Sequence, residues 1–219
     1  AAGAAGADQL ETIAIANAAT STVQFQGQFH SWFVDGERFL TNVSTTVWVY
    51  DQDGAQQDLQ VLSTIDNLTG QGDWFWTARR NPYVLDIYEV GASTAPAASY
   101  NLPISYTAIP SADTIGLVLN DAEMSIVDLS GATPVKTDYD SPLVYSTAYA
   151  AISNTEWLAG NRWGALAIAA DAPSTPTYFG WGTAFSVATS PERIVVATGS
   201  GNLLYFDAAT RELEGVIEF

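Results

Sequence analysis

The chain has 219 residues, 47% of them hydrophobic and 12% aromatic, which is enough to bury a sizeable core as one domain and excludes a disordered chain. Seven basic residues face 24 acidic ones, and the net charge of −17 repels nucleic-acid backbones and anionic membrane surfaces. Cysteine is absent, which excludes disulfides and thiolate chemistry, and no apolar run reaches the about 18 residues of a membrane span.

Residues 1–7 alternate Ala and Gly and predict a flexible tether. Their lack of an initiator Met suggests a mature chain whose signal segment has gone, hence an exported bacterial protein that is secreted, periplasmic or on the cell surface. Residues 8–219 predict a single domain. Within it Leu10, Ile13 and Ile15 predict one extra N-terminal strand, which would complete the last repeat of a closed ring. The rival reading makes it the outer strand of a missing repeat in a piece of a larger ring.

From residue 37 onward one pattern occurs five times: an acid opens an apolar run, and a second apolar run ends in an acid. The openers are Glu37, Asp73, Asp113, Glu156 and Glu192, and the closers are Asp51, Glu89, Asp128, Asp171 and Asp207. Asp51 to Asp207 covers 156 residues in four steps, a mean period of 39. That is the period of a four-stranded propeller blade. The predicted fold is therefore all-β: a β-propeller of about five four-stranded antiparallel blades, with strands labelled a to d, and almost no helix.

In the first unit Arg38 to Thr41 predicts strand b, Thr46 to Tyr50 strand c, and Asp51-Gln52-Asp53-Gly54 the turn into d. Trp74 to Thr77 and Tyr83 to Tyr88 take the b and c places in the second unit, and Thr114 to Leu119 and Met124 to Leu129 do so in the third. The fourth, with Trp157 to Gly160 and Ala165 to Ala169, is the weakest match because its c strand is mostly alanine. These runs are nearly continuously apolar, as expected where both sheet faces pack against neighbours. Trp32, Trp48, Trp74, Trp76 and Trp157 fall inside strands and are expected in the core.

The fifth unit is the clearest. Its Ser190-Pro191-Glu192-Arg193 turn, Ile194 to Thr198, Gly199 to Asn202, and Leu203-Leu204-Tyr205-Phe206-Asp207-Ala208-Ala209-Thr210 resemble the blade consensus of WD-repeat, YVTN-repeat and quinoprotein-like propellers. Val34-Asp35-Gly36-Glu37-Arg38-Phe39-Leu40-Thr41 is a second, partial match. The resemblance implies the fold and is silent on function. The Gly-His and Trp-Asp pairs of true WD repeats are missing, and Arg211 stands where the quinone-binding signature has Gly, so neither role carries over.

The recurring acids are expected to cap their own turns. Five-bladed glycoside hydrolases resemble this plan, but they hold paired carboxylates near the axis, whereas these acids sit on the a–b and c–d rim. Asp51-Gln52-Asp53-Gly54 lacks the further acids and distal Glu of a calcium loop. His30, Ser31 and Asp35 lie on or beside one strand, where a nucleophile triad cannot assemble. No catalytic residue, metal or cofactor is assigned.

The b–c and d–a loops share the other rim. Arg79-Arg80-Asn81, Asn120-Asp121 and Asn161-Arg162-Trp163 are read as b–c loops, with Tyr106, Tyr145 and Trp181 on d–a connections nearby. Arginines beside aromatics suit an acidic peptide, a carboxylate or a sugar. The candidate ligand residues are Arg79, Arg80, Asn161, Arg162, Trp163 and Trp181. The expected function is a non-catalytic binding module with a protein, peptide or glycan partner. The alternative is a carbohydrate-active or metal-assisted hydrolase or lyase with its site at the propeller axis.

Overall fold

The computed structural model describes residues 8–14, 19–33, 36–62, 67–80, 82–92, 95–102, 106–119, 123–140, 148–169, 175–179 and 182–219. It opens with β1 (Asp8–Ala14) and β2 (Ala19–Phe25), an antiparallel pair. The first four-stranded sheet is β3 (Gln28–Trp32), β4 (Arg38–Val43), β5 (Thr46–Asp51) and β6 (Gln56–Val61), and the second is β7 (Asn67–Gln71), β8 (Trp74–Arg80), β9 (Tyr83–Glu89) and β10 (Ala98–Asn101). The third is β11 (Tyr106–Pro110), β12 (Thr114–Leu119), β13 (Glu123–Asp128) and β14 (Val135–Asp140); the fourth is β15 (Ala148–Ser153), β16 (Glu156–Asn161), β17 (Gly164–Ala169) and β18 (Thr177–Phe179). The fifth is β19 (Ala184–Thr189), β20 (Arg193–Thr198), β21 (Asn202–Asp207) and β22 (Leu213–Glu218).

Every sheet runs in chain order with antiparallel neighbours, and the described residues contain no helix, so none long and apolar enough to cross a membrane. The all-β prediction, the five quartets and the b and c strands of the first four units stand as read. The contacts divide the chain into two compact units, residues 1–103 and 104–219.

Two expectations are corrected. The N-terminal strand does not join the last sheet: β1 pairs with β2, a strand missed because its sequence Ala-Thr-Ser-Thr-Val-Gln-Phe is mostly polar. The hairpin instead anchors to the first sheet through Phe25, buried against Phe39 at a ring distance of 5.5 Å and against Tyr50. Ile15, Val34, Asp35 and the residues 1–7 lie outside the described residues. The apolar runs are also less uniform than read. β9 and β16 are buried almost end to end, whereas β20 alternates buried and part-exposed positions and β22 is mostly exposed.

The cores form between neighbouring sheets. Within residues 1–103, Phe33, Leu40 and Val49 pack with Leu68, Phe75 and Tyr88. Within 104–219, Met124 and Ile126 pack with Trp157 and Ile168, and Leu158 and Ala165 pack with Ile194, Val196, Leu204 and Phe206. The alanines that made the fourth unit look weak are thus buried spacers. Trp74, Trp76 and Trp157 are buried as expected and Trp48 is half-buried, while Trp32 lies in β3.

Candidate functional site

The two rims differ in chemistry. On the first, the residue after each described closer donates its N–H to the carbonyl of the opener: Gln52 to Glu37, Val90 to Asp73, Leu129 to Asp113 and Ala208 to Glu192, at 2.7–3.0 Å. Three of the closers cap their own turns. Asp51 Oδ1 accepts from the N–H groups of Asp53 and Ala55, Asp128 Oδ1 from Ser130, and Asp207 Oδ1 from Ala209 and Thr210. Gly54, with φ of 84°, supplies the left-handed residue of the Asp51 turn. Among the described residues no group of three or more His, Asp or Glu is placed to hold a metal ion.

Hydrogen bonds from Ser130 hold the Asp128 carboxyl below the usual carboxylate range, and those from Thr210 do the same for Asp207. Asp138 is lowered by Lys136 and then by Ser125. A folded-state pKa below the unfolded one adds stability above the unfolded value of about 4, and that stability is lost as pH falls through the lowered value. Urea unfolding should therefore show a midpoint that is steady from about pH 7 to 5 and drops below about pH 4, with a smaller drop in Asp207→Asn.

On the other rim the structure describes the Asn161-Arg162-Trp163 turn. Asn161 ends β16 and is buried; its Oδ1 accepts from the N–H of Trp163 at 2.8 Å and of Gly164 at 3.1 Å. That cap fixes the β16–β17 turn and lifts the next two side chains outward. The Arg162 guanidinium stacks 4.6 Å from the Trp163 ring centroid, and Trp163 is 68% exposed.

The sequence reading missed Thr183 and Phe185. Thr183 Oγ1 donates to the Arg162 carbonyl at 3.3 Å, and the Thr183 carbonyl accepts from Gly199 N–H at 2.8 Å, so Thr183 ties the b–c turns of the fourth and fifth sheets together. Phe185 is 64% exposed and lies against Gly199. The result is a continuous rim segment with two exposed aromatics and one arginine. A pair of exposed aromatics flanking a d–a connection was the available signal, and Phe185 read as an ordinary strand residue.

Arg79 and Arg80 belong to strand β8 rather than to a loop, because β8 runs three residues beyond Thr77. Arg79 Nη2 stands 3.0 Å from Asp86 Oδ2 in the same sheet, and Asp86 also accepts from the Ser99 hydroxyl. Its guanidinium is thus committed within its own sheet. Asn81, Asn120, Asp121, Tyr145 and Trp181 fall outside the described residues, as does Asp171. Ser31, from the rejected triad, donates to the Leu68 carbonyl at 3.0 Å.

No protein-family model and no curated protein sequence matches the chain. Solved structures match it in shape. Hsv2 of Kluyveromyces lactis superposes with a TM-score of 0.66 at 9% identity, over 87% of this chain and 62% of that one. A chain of the mitotic checkpoint complex gives 0.61 at 12% identity, over 88% and 63%, and the C-terminal WD40 domain of Sif2 gives 0.57 at 12%, over 96% and 66%.

The fold is a β-propeller. At these identities the likeness is one of fold, and this chain spans less than two-thirds of the length of each of the three matched chains. Neighbouring propeller blades approach through their first strands, β3 with β7 in one unit and β11 with β15 and β15 with β19 in the other. None of these five strands contains an Asp or Glu.

Proposed function

We propose that this propeller is a non-catalytic interaction module whose ligand is held on the b–c and d–a rim, with Arg162 and Trp163 as anchors and Asn161 as the residue that positions them. The observation that carries it is the lack of any carboxylate on the five first strands, the strands by which blades converge. A glycosidase or metal-assisted hydrolase needs two carboxylates, or a metal held by such groups, facing that inner space. The rim offers instead an arginine already stacked on an exposed indole, with Phe185 exposed at the neighbouring turn. A guanidinium held this way presents its donors to a carboxylate, and the aromatic faces take an apolar side chain or a sugar ring.

The partner class that fits is a protein segment or glycan bearing a carboxylate. Biolayer interferometry against immobilised acidic peptides and uronic-acid oligosaccharides tests this. Trp163→Ala and Arg162→Ala should each weaken binding by about tenfold or more, as for central interface anchors, with urea midpoints near the parent's. Binding unchanged by both substitutions, or none to any probe, would overturn the assignment.

A further inference from the structure

At the joints between neighbouring sheets the first residue of a second strand meets the next sheet, and in two of the three it reaches the turn that follows that sheet's first strand. In the first sheet this residue is Arg38: its Nη1 donates to the Gly72 carbonyl at 2.8 Å and its Nη2 lies 2.9 Å from Asp73 Oδ1. In the third it is Thr114, whose Oγ1 donates at 2.9 Å to the carbonyl of Asn154, the turn position equivalent to Gly72. In the fourth it is Glu156, and Arg211 of the fifth sheet comes back to pair with it. Two of these three joints hold a guanidinium. The third holds none, because threonine is too short to fill the space that arginine fills.

What remains is a cleft of about 340 Å³ between the third and fourth sheets. Ile126 lies at its base, and Asp113, Asp128, Thr137, Tyr139 and Asn154 line it. Its walls are fixed: Asn154 Oδ1 accepts from Ser111 Oγ and Asp113 N–H, both at 3.0 Å, and Asn154 Nδ2 donates to Asp113 Oδ2 at 2.8 Å. Cross-strand register sets Thr114 opposite Asp128 and Ile126 opposite Thr137, so these side chains share the face turned to the fourth sheet.

Two carboxylates therefore border a preformed space, and among the described residues no basic side chain pairs with either. Residues 104–219 contain four basic side chains, and all are engaged elsewhere. Lys136 pairs with Asp138, Arg193 with Glu214 and Arg211 with Glu156, while Arg162 stacks on Trp163. Hydrogen bonds from Ser130 favour the anionic form of Asp128.

We propose that this cleft binds the guanidinium group of an arginine presented by a partner protein, in the space that the Arg38 side chain fills at the first joint; Thr155 stands here where Asp73 pairs with Arg38, so Asp113 and Asp128 take over the pairing. The two carboxylates supply several acceptor oxygens for a planar fork, which suits arginine better than the point charge of lysine, and Tyr139 supplies an aromatic surface in the same lining. The net charge of −17 steers basic segments toward the protein. The cleft is separate from the Arg162–Trp163 turn: Glu156 and Asn161 mark opposite ends of β16, about 17 Å apart.

The test is a titration of the isotopically labelled chain with a blocked Gly-Gly-Arg-Gly-Gly peptide at low ionic strength, followed by amide resonances. Saturable shifts confined to the turns holding Asp113, Ser130 and Asn154 are expected, with affinity about tenfold weaker for the citrulline analogue and about tenfold weaker in Asp128→Asn. Thr114→Arg, which rebuilds the first joint's arrangement here, should abolish the shifts; if it does not fold, the citrulline and Asp128→Asn comparisons decide alone. Shifts spread over the acidic turns of all five sheets, an equal response to citrulline, or binding indifferent to Asp128→Asn would each overturn the proposal.

Discussion

Asp86→Ala is expected to destabilise the protein by about 3 kcal/mol, at the lower end of what stranding one partner of a buried ion pair costs. Asp86 lies in the middle of β9, whose interior is otherwise apolar, and its side chain is only 6% exposed. It is tolerated there because Arg79 Nη2 stands 3.0 Å away and the Ser99 hydroxyl donates to it. Removing the carboxylate leaves Arg79, itself 26% exposed, with a desolvated charge and no counter-ion. That residual exposure is why the lower end of the range applies.

The double variant Asp86→Ala, Arg79→Met should recover most of the loss, since replacing both members of a buried pair by apolar groups is often close to neutral. Urea unfolding of the two single variants and the double checks this. A loss of under about 1 kcal/mol in Asp86→Ala would show a pair no stronger than a surface one. Arg79 would then be available to a ligand, and the distinction between the second sheet's Arg79 and the Arg162 rim would disappear.

The same residues show how far the sequence was readable. Acidic closers at a period of 39 placed the four c–d turns that the structure describes, and three of those acids cap their own backbone, which depends only on local chemistry. Arg79 was misplaced because a run of two arginines and an asparagine looks like a loop, whereas strand length is set by the partner strand. Register pairs Arg79 with Val84 and Thr77 with Asp86, so Arg79 and Asp86 are diagonal neighbours on one face. A single acid inside the apolar run Tyr83 to Tyr88 was the visible sign of that pairing.

Asn161-Arg162-Trp163, by contrast, was legible as a turn because its capping asparagine, exposed pair and glycine are consecutive. The cleft left by Thr114 between the third and fourth sheets was not legible at all. It arises from side-chain reach at equivalent positions, Arg38 against Thr114, and only the folded chain brings each to the equivalent carbonyl, of Gly72 and of Asn154.

Trp157→Ala should cost about 3–5 kcal/mol, the usual range for truncating a fully buried tryptophan. Trp157 on β16 is 1% exposed and lies over Gly116 on β12 of the preceding sheet, in a cluster with Met124, Ile126 and Ile168. The approach is so close that a Cβ on Gly116 would stand 2.5 Å from Trp157 Nε1 and 2.9 Å from Cε2. In the other unit the Phe33 ring covers Gly70 in the same way, with a Cβ there 2.5 Å from Cζ. Each joint thus works as a large ring laid on a bare backbone, and the glycine is required by the ring. Gly116→Ala alone should therefore cost about 1–3 kcal/mol through overpacking. In a Trp157→Ala background the same change should cost far less, because the clash has gone, so the two substitutions are strongly coupled. Trp157→Phe should be mild: it keeps the ring and removes an indole N–H that is buried without a hydrogen-bond partner among the described residues. Urea unfolding across this four-member cycle decides the matter. Strict additivity of Gly116→Ala and Trp157→Ala would mean that the two residues are not in contact, and the packing between the third and fourth sheets would have to be redrawn.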